Sequence, residues 1–447
     1  MSVFDGKRLD NSTFKLDAER MRRGWYSDKY FCNIADMLTI LAKSGYCYHG
    51  NTPRLKSIDL NECISPGDLE VEMQVFTRRR GTTIAVGLDK SLAMLKLCTG
   101  YWEGEKFVDT SNNLEVWAVQ DGTIIHGNGD PSQVEPVMRI RGRYRDFALL
   151  ETPMLGVLTR SSRVATNVYN TIIAARGKPV MFFPARFDLH EVQAADGYAY
   201  NMAIQRFNQD FAGKLPTFIS TDAQGDWWGG QGGGTVAHSA IACFFGDTAE
   251  AMLAFSTVLP MSIPRIALVD FNNDCVADSL AVTNTLFARY RELVDAGSQT
   301  EAERYRLFGV RLDTSGALRD VSVPPLGDPV MDMGVTPRLV FNVRQALDHA
   351  WEGWNLPEHW CQTAAEYCRK IKIVVSGGFN PERIERFERL GVPVDTYAVG
   401  SSLFDNHGST VTDFTADVVR VKLKGEWVDL AKVGRKPCDN PALEQVW

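Results

Sequence analysis

His238 stands where a side chain can do chemistry. It closes the segment Gly234-Thr235-Val236-Ala237-His238-Ser239, behind Gly229, Gly230, Gly232 and Gly233, and precedes the apolar run Ala240 to Phe245. Glycine lets a backbone approach a ligand closely. A histidine beside it can exchange protons, or be phosphorylated, near neutral pH. Alone, such a histidine is more often a satisfied polar group at a helix start. Other loops, in chain order, shift that balance. Arg186-Phe187-Asp188-Leu189-His190-Glu191 follows the apolar run 180–183, and Ser220-Thr221-Asp222 follows Phe218-Ile219. After the glycine loop come Asp270 with Asn272 and Asp274, then Arg311 with Asp313, then Ser376-Gly377-Gly378 and Gly400-Ser401-Ser402.

Gly-rich loops after strands suit phosphate, because exposed backbone N–H groups bind an anion without a formal charge. Arg311 offers a planar fork for a second phosphate or a diphosphate. Asp313 can contact ribose hydroxyls or a bound Mg²⁺. Phe187 and Tyr30 offer ring faces for a planar ligand. Each feature has a plainer reading: glycine pairs make turns, Arg-x-Asp makes a structural ion pair, and Phe187 or Tyr30 can be core or surface aromatics.

These loops need strands to hold them. The first third reads as β structure: Leu69 to Phe76 and Leu114 to Gln120 alternate, Asp121-Gly122 signals a turn before Thr123-Ile124-Ile125, and residues 134–140 read as a strand. Ile34 to Leu41 reads as a short helix. From Phe147 the texture becomes helical, with a long pattern to Ala175. Short apolar runs then alternate with helices: 180–183, 263–270, 308–313, 371–375 and 394–399. Thr336-Pro337 and Asn380-Pro381 open two of the helices. Strand, loop, helix, strand is the βα repeat of a parallel sheet. In a βα barrel the chemistry sits at the carboxyl ends of the strands. Residues 418–430 return to alternation and are expected to rejoin the N-terminal β-rich part. The expected domains are 1–147 completed by 410–447, and 148–409 as the barrel.

At 447 residues and 45% hydrophobic, the chain can build a large core and two domains. A net charge of −7 argues against general nucleic-acid binding. No window approaches the apolar length of a membrane span, the N-terminus lacks an apolar signal core, and a cytoplasmic protein without membrane partners is expected. Nine scattered cysteines with no CxxC pair predict reduced, mostly buried thiols and no structural zinc.

Taken in order, Ser27-Asp28-Lys29-Tyr30, Leu150-Glu151-Thr152-Pro153, Gly234 to Ser239, Gly309 to Asp313, Val374 to Gly378 and Val399 to Leu403 resemble nicotinate phosphoribosyltransferases, of the type II phosphoribosyltransferase group. The resemblance covers nearly the whole chain. It implies an α/β fold: an irregular, TIM-like α/β barrel with a β-rich α+β domain built from both chain ends. It implies a homodimer with shared active sites. The implied reaction joins nicotinate to 5-phosphoribosyl 1-pyrophosphate, giving nicotinate mononucleotide and pyrophosphate. ATP hydrolysis drives it through a phosphohistidine at His238, with Mg²⁺ on the leaving pyrophosphate. His238, Arg311 and Asp313 are the implied catalytic residues. Phe187 and Tyr30 of the partner subunit would sandwich the pyridine ring, Gly377, Gly378, Gly400 and Ser401 would hold the 5′-phosphate, and Ser376 is a substrate-binding candidate beside them. Asp270 joins them as a substrate-binding candidate.

Some positions depart from the family pattern. A glycine and an arginine after the stacking phenylalanine are replaced by Asp188 and His190. Asp222 lies where an acidic residue favours an amide over a carboxylate. His190 and Asp222 are therefore carried as base-side candidates, with nicotinamide as the alternative base. Quinolinate would call for more basic residues near Phe187 than Arg186. A catalytically silent phosphate-ligand binder is a further alternative, opposed by His238, Arg311 and Asp313.

Overall fold

The computed structural model describes residues 6–50, 52 and 63–447. They divide into two compact units: 1–169 with 194–212 and 405–447, and 170–193 with 213–404.

The first unit is built on a six-stranded sheet. Its strand order is Glu426–Asp429, Phe414–Leu423, Glu70–Thr77, Met138–Arg143, Glu115–Ala118 and Glu444–Gln445, and all these pairings are antiparallel. Both chain ends therefore share one sheet, as the alternation near residues 418–430 implied. Met73 lies opposite Ile140, and Ile140 opposite Val116. These three pack with Leu158 of the helix Glu151–Ala174 into one buried cluster. On the other face Glu72 is 1% exposed and accepts from Arg141 at 2.7 Å and Arg420 at 2.8 Å.

Asp121-Gly122 does not close a hairpin. Thr123–Gly127 pairs instead with Gly81–Ala85 in a separate two-stranded sheet. Asp121 is buried, and its carboxylate accepts the N–H groups of Gly87 at 2.7 Å and Leu88 at 2.8 Å, where the helix Leu88–Cys98 begins. The turn itself forms, with the Thr123 N–H donating to Gln120 O at 3.1 Å, while the Asp121 side chain serves the helix start, whose N–H groups need an acceptor.

The second unit holds five parallel strands in the order Val180–Phe182, Thr396–Val399, Lys372–Val375, Gly309–Leu312 and Ile266–Leu268. The first and last strands in sequence are neighbours, as in a curling βα sheet. Parallel single bridges extend the arc from Phe182 to Ile219 and on to Gly232. Among the described residues no pairing joins that end to Ile266–Leu268, so the strands trace an open arc and not a ring. The Gly-rich chain at 229–234 lies there as loop, since glycine is a weak strand former. Ile266, Val374 and Ala398 are buried inside the arc with Met181 and Phe183 against them. The crossover helices begin as the sequence indicates. Thr336 accepts from the Leu339 N–H at 3.2 Å and Asn380 from the Arg383 N–H at 2.9 Å.

Two expectations about the chain are revised or restated. Cys47 and Cys63, 16 residues apart, are joined by a disulfide with Cα atoms 5.1 Å apart, contrary to an all-reduced set. No spacing rule reveals such a pair in advance. Cys98, Cys275 and Cys368 are buried free thiols, and Cys243 is exposed. Among the described residues no helix is long and apolar enough to cross a membrane.

Candidate active site

The carboxyl ends of the parallel strands open onto a cavity of about 660 Å³, within the usual range for a small-molecule site. Each wall comes from the loop after a different strand.

Phe187 ends a short 3₁₀ turn after Val180–Phe182 and is 48% exposed. A Cβ at Gly400 would lie 2.6 Å from the Phe187 ring, so glycine there lets the backbone press against the ring edge. The Arg186 guanidinium sits 5.4 Å from the same ring centre. Both residues line the cavity.

His238 opens the helix His238–Cys243, and its Nε2 lies 2.9 Å from Asp270 Oδ1. Asp270 follows Ile266–Leu268 and is nearly buried. Burial pushes its carboxyl above the ordinary value; the hydrogen bond and charge of His238 oppose this, while Asp313 adds to it. The pair fixes one ring nitrogen of His238 while the ring stays 44% exposed at the cavity.

Arg311 and Asp313 form a tied set with Ser376. The Arg311 Nε donates to Ser376 Oγ at 3.0 Å and its Nη2 to Asp313 Oδ2 at 3.1 Å, while Ser376 Oγ donates to Asp313 Oδ1 at 2.6 Å. The register explains it: Arg311 pairs with Val374 and Leu312 with Val375, so both strands end together.

Gly377 and Gly378 follow with φ of 88° and 73°. Two successive left-handed residues would be strained with side chains. Their carbonyls are held from behind: Arg383 Nη1 donates to Gly377 O at 2.7 Å and Gly378 O at 3.3 Å, and Nη2 to Val335 O at 2.7 Å. Arg383 is not among the sequence candidates. Its position in the first turn after the Asn380-Pro381 cap is the signal that could have found it.

The structure thus gathers His238, Arg311, Asp313, Phe187, Ser376, Gly377, Gly378, Gly400 and Ser401 around one cavity, with Asp270 behind His238. His190 and Asp222 are not brought to it. His190 is 85% exposed, beside Glu191 at 3.2 Å, and does not line the cavity. Asp222 accepts the Gly232 N–H at 2.9 Å and so holds the glycine loop. Tyr30 belongs to the first unit, is 57% exposed and donates to Asp28 at 3.3 Å.

The chain is similar in sequence and fold to known proteins. The family profile of the quinolinate phosphoribosyl transferase N-terminal domain matches residues 59–162. A nicotinate phosphoribosyltransferase of Mycobacterium tuberculosis is 25% identical over 295 residues, which is 65% of this chain and 48% of that protein, so the chain spans about half the length of this curated relative. The crystal structure of a nicotinate-nucleotide pyrophosphorylase from Pyrococcus furiosus superposes with a TM-score of 0.60 at 23% identity, covering 94% of this chain and 80% of its own. Human nicotinic acid phosphoribosyltransferase gives a TM-score of 0.55 at 16% identity, covering 88% and 74%. In sequence and in fold, the chain is similar to the type II phosphoribosyltransferase group.

Proposed function

We propose that the chain is an ATP-coupled nicotinate phosphoribosyltransferase that makes nicotinate mononucleotide for NAD synthesis. The carrying observation is the single cavity that holds an aromatic platform, two glycine phosphate loops, the Arg311–Asp313–Ser376 set and the His238–Asp270 pair.

In this reading the 5′-phosphate of phosphoribosyl pyrophosphate lies on the loops at Gly377-Gly378 and Gly400-Ser401. Asp313 and Arg311 face the ribose and the pyrophosphate. Nicotinate stacks on Phe187, and its ring nitrogen attacks C1′ as the bond to pyrophosphate breaks. An oxocarbenium-like state needs positioning and charge stabilisation more than a strong base. Asp270 holds Nε2–H of His238, which leaves the Nδ1 lone pair to attack the γ-phosphorus of ATP and release ADP. Water then takes the phosphoryl group from His238.

Among the described residues no cluster of three His, Cys, Asp or Glu side chains could hold a metal. Both Asp313 oxygens are already taken, by Arg311 and Ser376. The expected Mg²⁺ is therefore written as the counterion that enters on the substrate pyrophosphate, and no step depends on it. A homodimer, with Tyr30 of the partner subunit over the base, completes the reading.

The test is formation of nicotinate mononucleotide from nicotinate and phosphoribosyl pyrophosphate, with and without ATP. Absence of any pyridine mononucleotide under both conditions would sink it. Quinolinate is the second reading, favoured by the N-terminal profile, and the same assay with quinolinate decides it by release of CO₂.

A further inference from the structure

The nicotinamide alternative rests on Asp222 and His190. The first is bound to the glycine loop and the second stands away from the cavity wall, so neither is placed to read the base. One cation is. Arg186 lies at the cavity, its guanidinium 5.4 Å from the centre of the exposed Phe187 ring. Among the described residues it has no carboxylate partner. Lys178, Arg304, Arg306, Arg338, Arg344 and Lys372 of the same unit each meet an acidic side chain, and Arg265, Arg319 and Arg383 are spent on backbone carbonyls. Arg311, the other cavity arginine, is already tied to Asp313 and Ser376.

We infer that Arg186 sets the specificity of the site by binding the carboxylate of the pyridine base stacked on Phe187. The inference rests on the phosphoribosyltransferase reading given above. A guanidinium fork matches a carboxylate with two parallel hydrogen bonds, and a carboxamide offers it only one acceptor oxygen. At 5.4 Å from the ring centre, the fork is within reach of a substituent on a ring lying against Phe187. Arg186 touches no reacting atom, so its part is recognition. One fork with no second free cation among the described residues lining the cavity suits a monocarboxylate base.

Steady-state kinetics on nicotinate, nicotinamide and quinolinate, for the wild-type protein, Arg186→Gln and Arg186→Lys, test this. The wild type is expected to prefer nicotinate. Arg186→Gln should raise KM for nicotinate about 10- to 100-fold, the size of a charge-assisted hydrogen bond, with KM for phosphoribosyl pyrophosphate unchanged. Arg186→Lys should recover part of the loss, and the advantage of nicotinate over nicotinamide should shrink in both. Unchanged base preference in an active Arg186→Gln protein would overturn the inference and leave the reaction standing. A rise confined to KM for phosphoribosyl pyrophosphate would overturn it equally, by placing Arg186 on the phosphate. If the wild type turns over no pyridine base, the underlying reading fails and the inference falls with it.

Discussion

Glu72 and Arg186 are charged groups in opposite circumstances. Glu72, in the six-stranded sheet, is 1% exposed and bonded by Arg141 and Arg420, with Arg139 at 3.8 Å. Arg186, in the second unit, is exposed at a cavity with no carboxylate beside it. A buried charge must be paired to exist at all, so pairing of this kind reports on the fold. A charge left open in a concave site reports on a ligand. The same contrast separates two carboxylates lifted by burial. Asp121 is enclosed beside Asp89 and Arg8 in the first unit, while Asp270 is coupled to a half-exposed histidine.

The contrast can be broken first at His238. His238→Ala is expected to abolish stimulation by ATP and to lower kcat with ATP at least about 100-fold, the lower range for a group in proton or phosphoryl transfer. Its unfolding midpoint should stay at the wild-type value. Full ATP stimulation in that variant removes the phosphohistidine.

The mirror experiment is Glu72→Gln. It should cost about 2 kcal/mol in urea unfolding, below the range for fully buried pairs because Arg141 and Arg420 are 22% and 29% exposed. KM values should not move at temperatures where the protein is folded. A change in substrate KM without a change in stability would erase the distinction between the two regions.

Arg383→Ala sharpens it, because this arginine is structural in its contacts yet holds a proposed phosphate loop. We expect KM for phosphoribosyl pyrophosphate to rise about 10-fold, from the hydrogen bonds lost at Gly377 and Gly378, with KM for nicotinate steady. Equal changes in both would make Arg383 a general stabiliser.

The remaining effect is in pH. Burial, then the charge of Asp89, pushes the Asp121 carboxyl up to about 7, against its bonds to the N–H groups of Leu88 and Asp89 and the charge of Arg8; Tyr198 also faces it. A folded pKa above the unfolded value, about 3.9, means its stabilising contribution is complete below that value and is lost as pH rises through about 7. The urea midpoint should therefore fall between about pH 4 and pH 7, and Asp121→Asn should flatten that fall. A variant with the wild-type slope would assign the pH dependence elsewhere.

Much of this is legible in the order of residues alone. The strands at 70–77, 309–312, 372–375 and 396–399 lie within about two residues of their apolar runs, because strands buried on both faces have few other options. The loops after them carry the cavity residues, because parallel strands put all their carboxyl ends on one edge. What local pattern misses depends on distant partners. By position His190 resembles a substitute for a missing arginine, but the chain turns after Phe187 and brings Arg186, not His190, to the cavity. By position Asp222 resembles a base-reading acid, and its acceptor is used by Gly232.

By itself, then, the sequence determined a β-rich unit made from both ends, a parallel α/β unit, and which loops carry Phe187, His238, Arg311 and the glycine pairs. These follow from periodicity and from residue types that chemistry demands, and both are local. Only the tertiary structure decided that His238 leans on Asp270, that Arg311 and Asp313 share Ser376, that Arg383 braces the glycines, that Cys47 meets Cys63, and that Arg186 is left open. Each of these turns on which groups distant in the chain come within hydrogen-bonding or bonding distance. Periodicity carries no information about that.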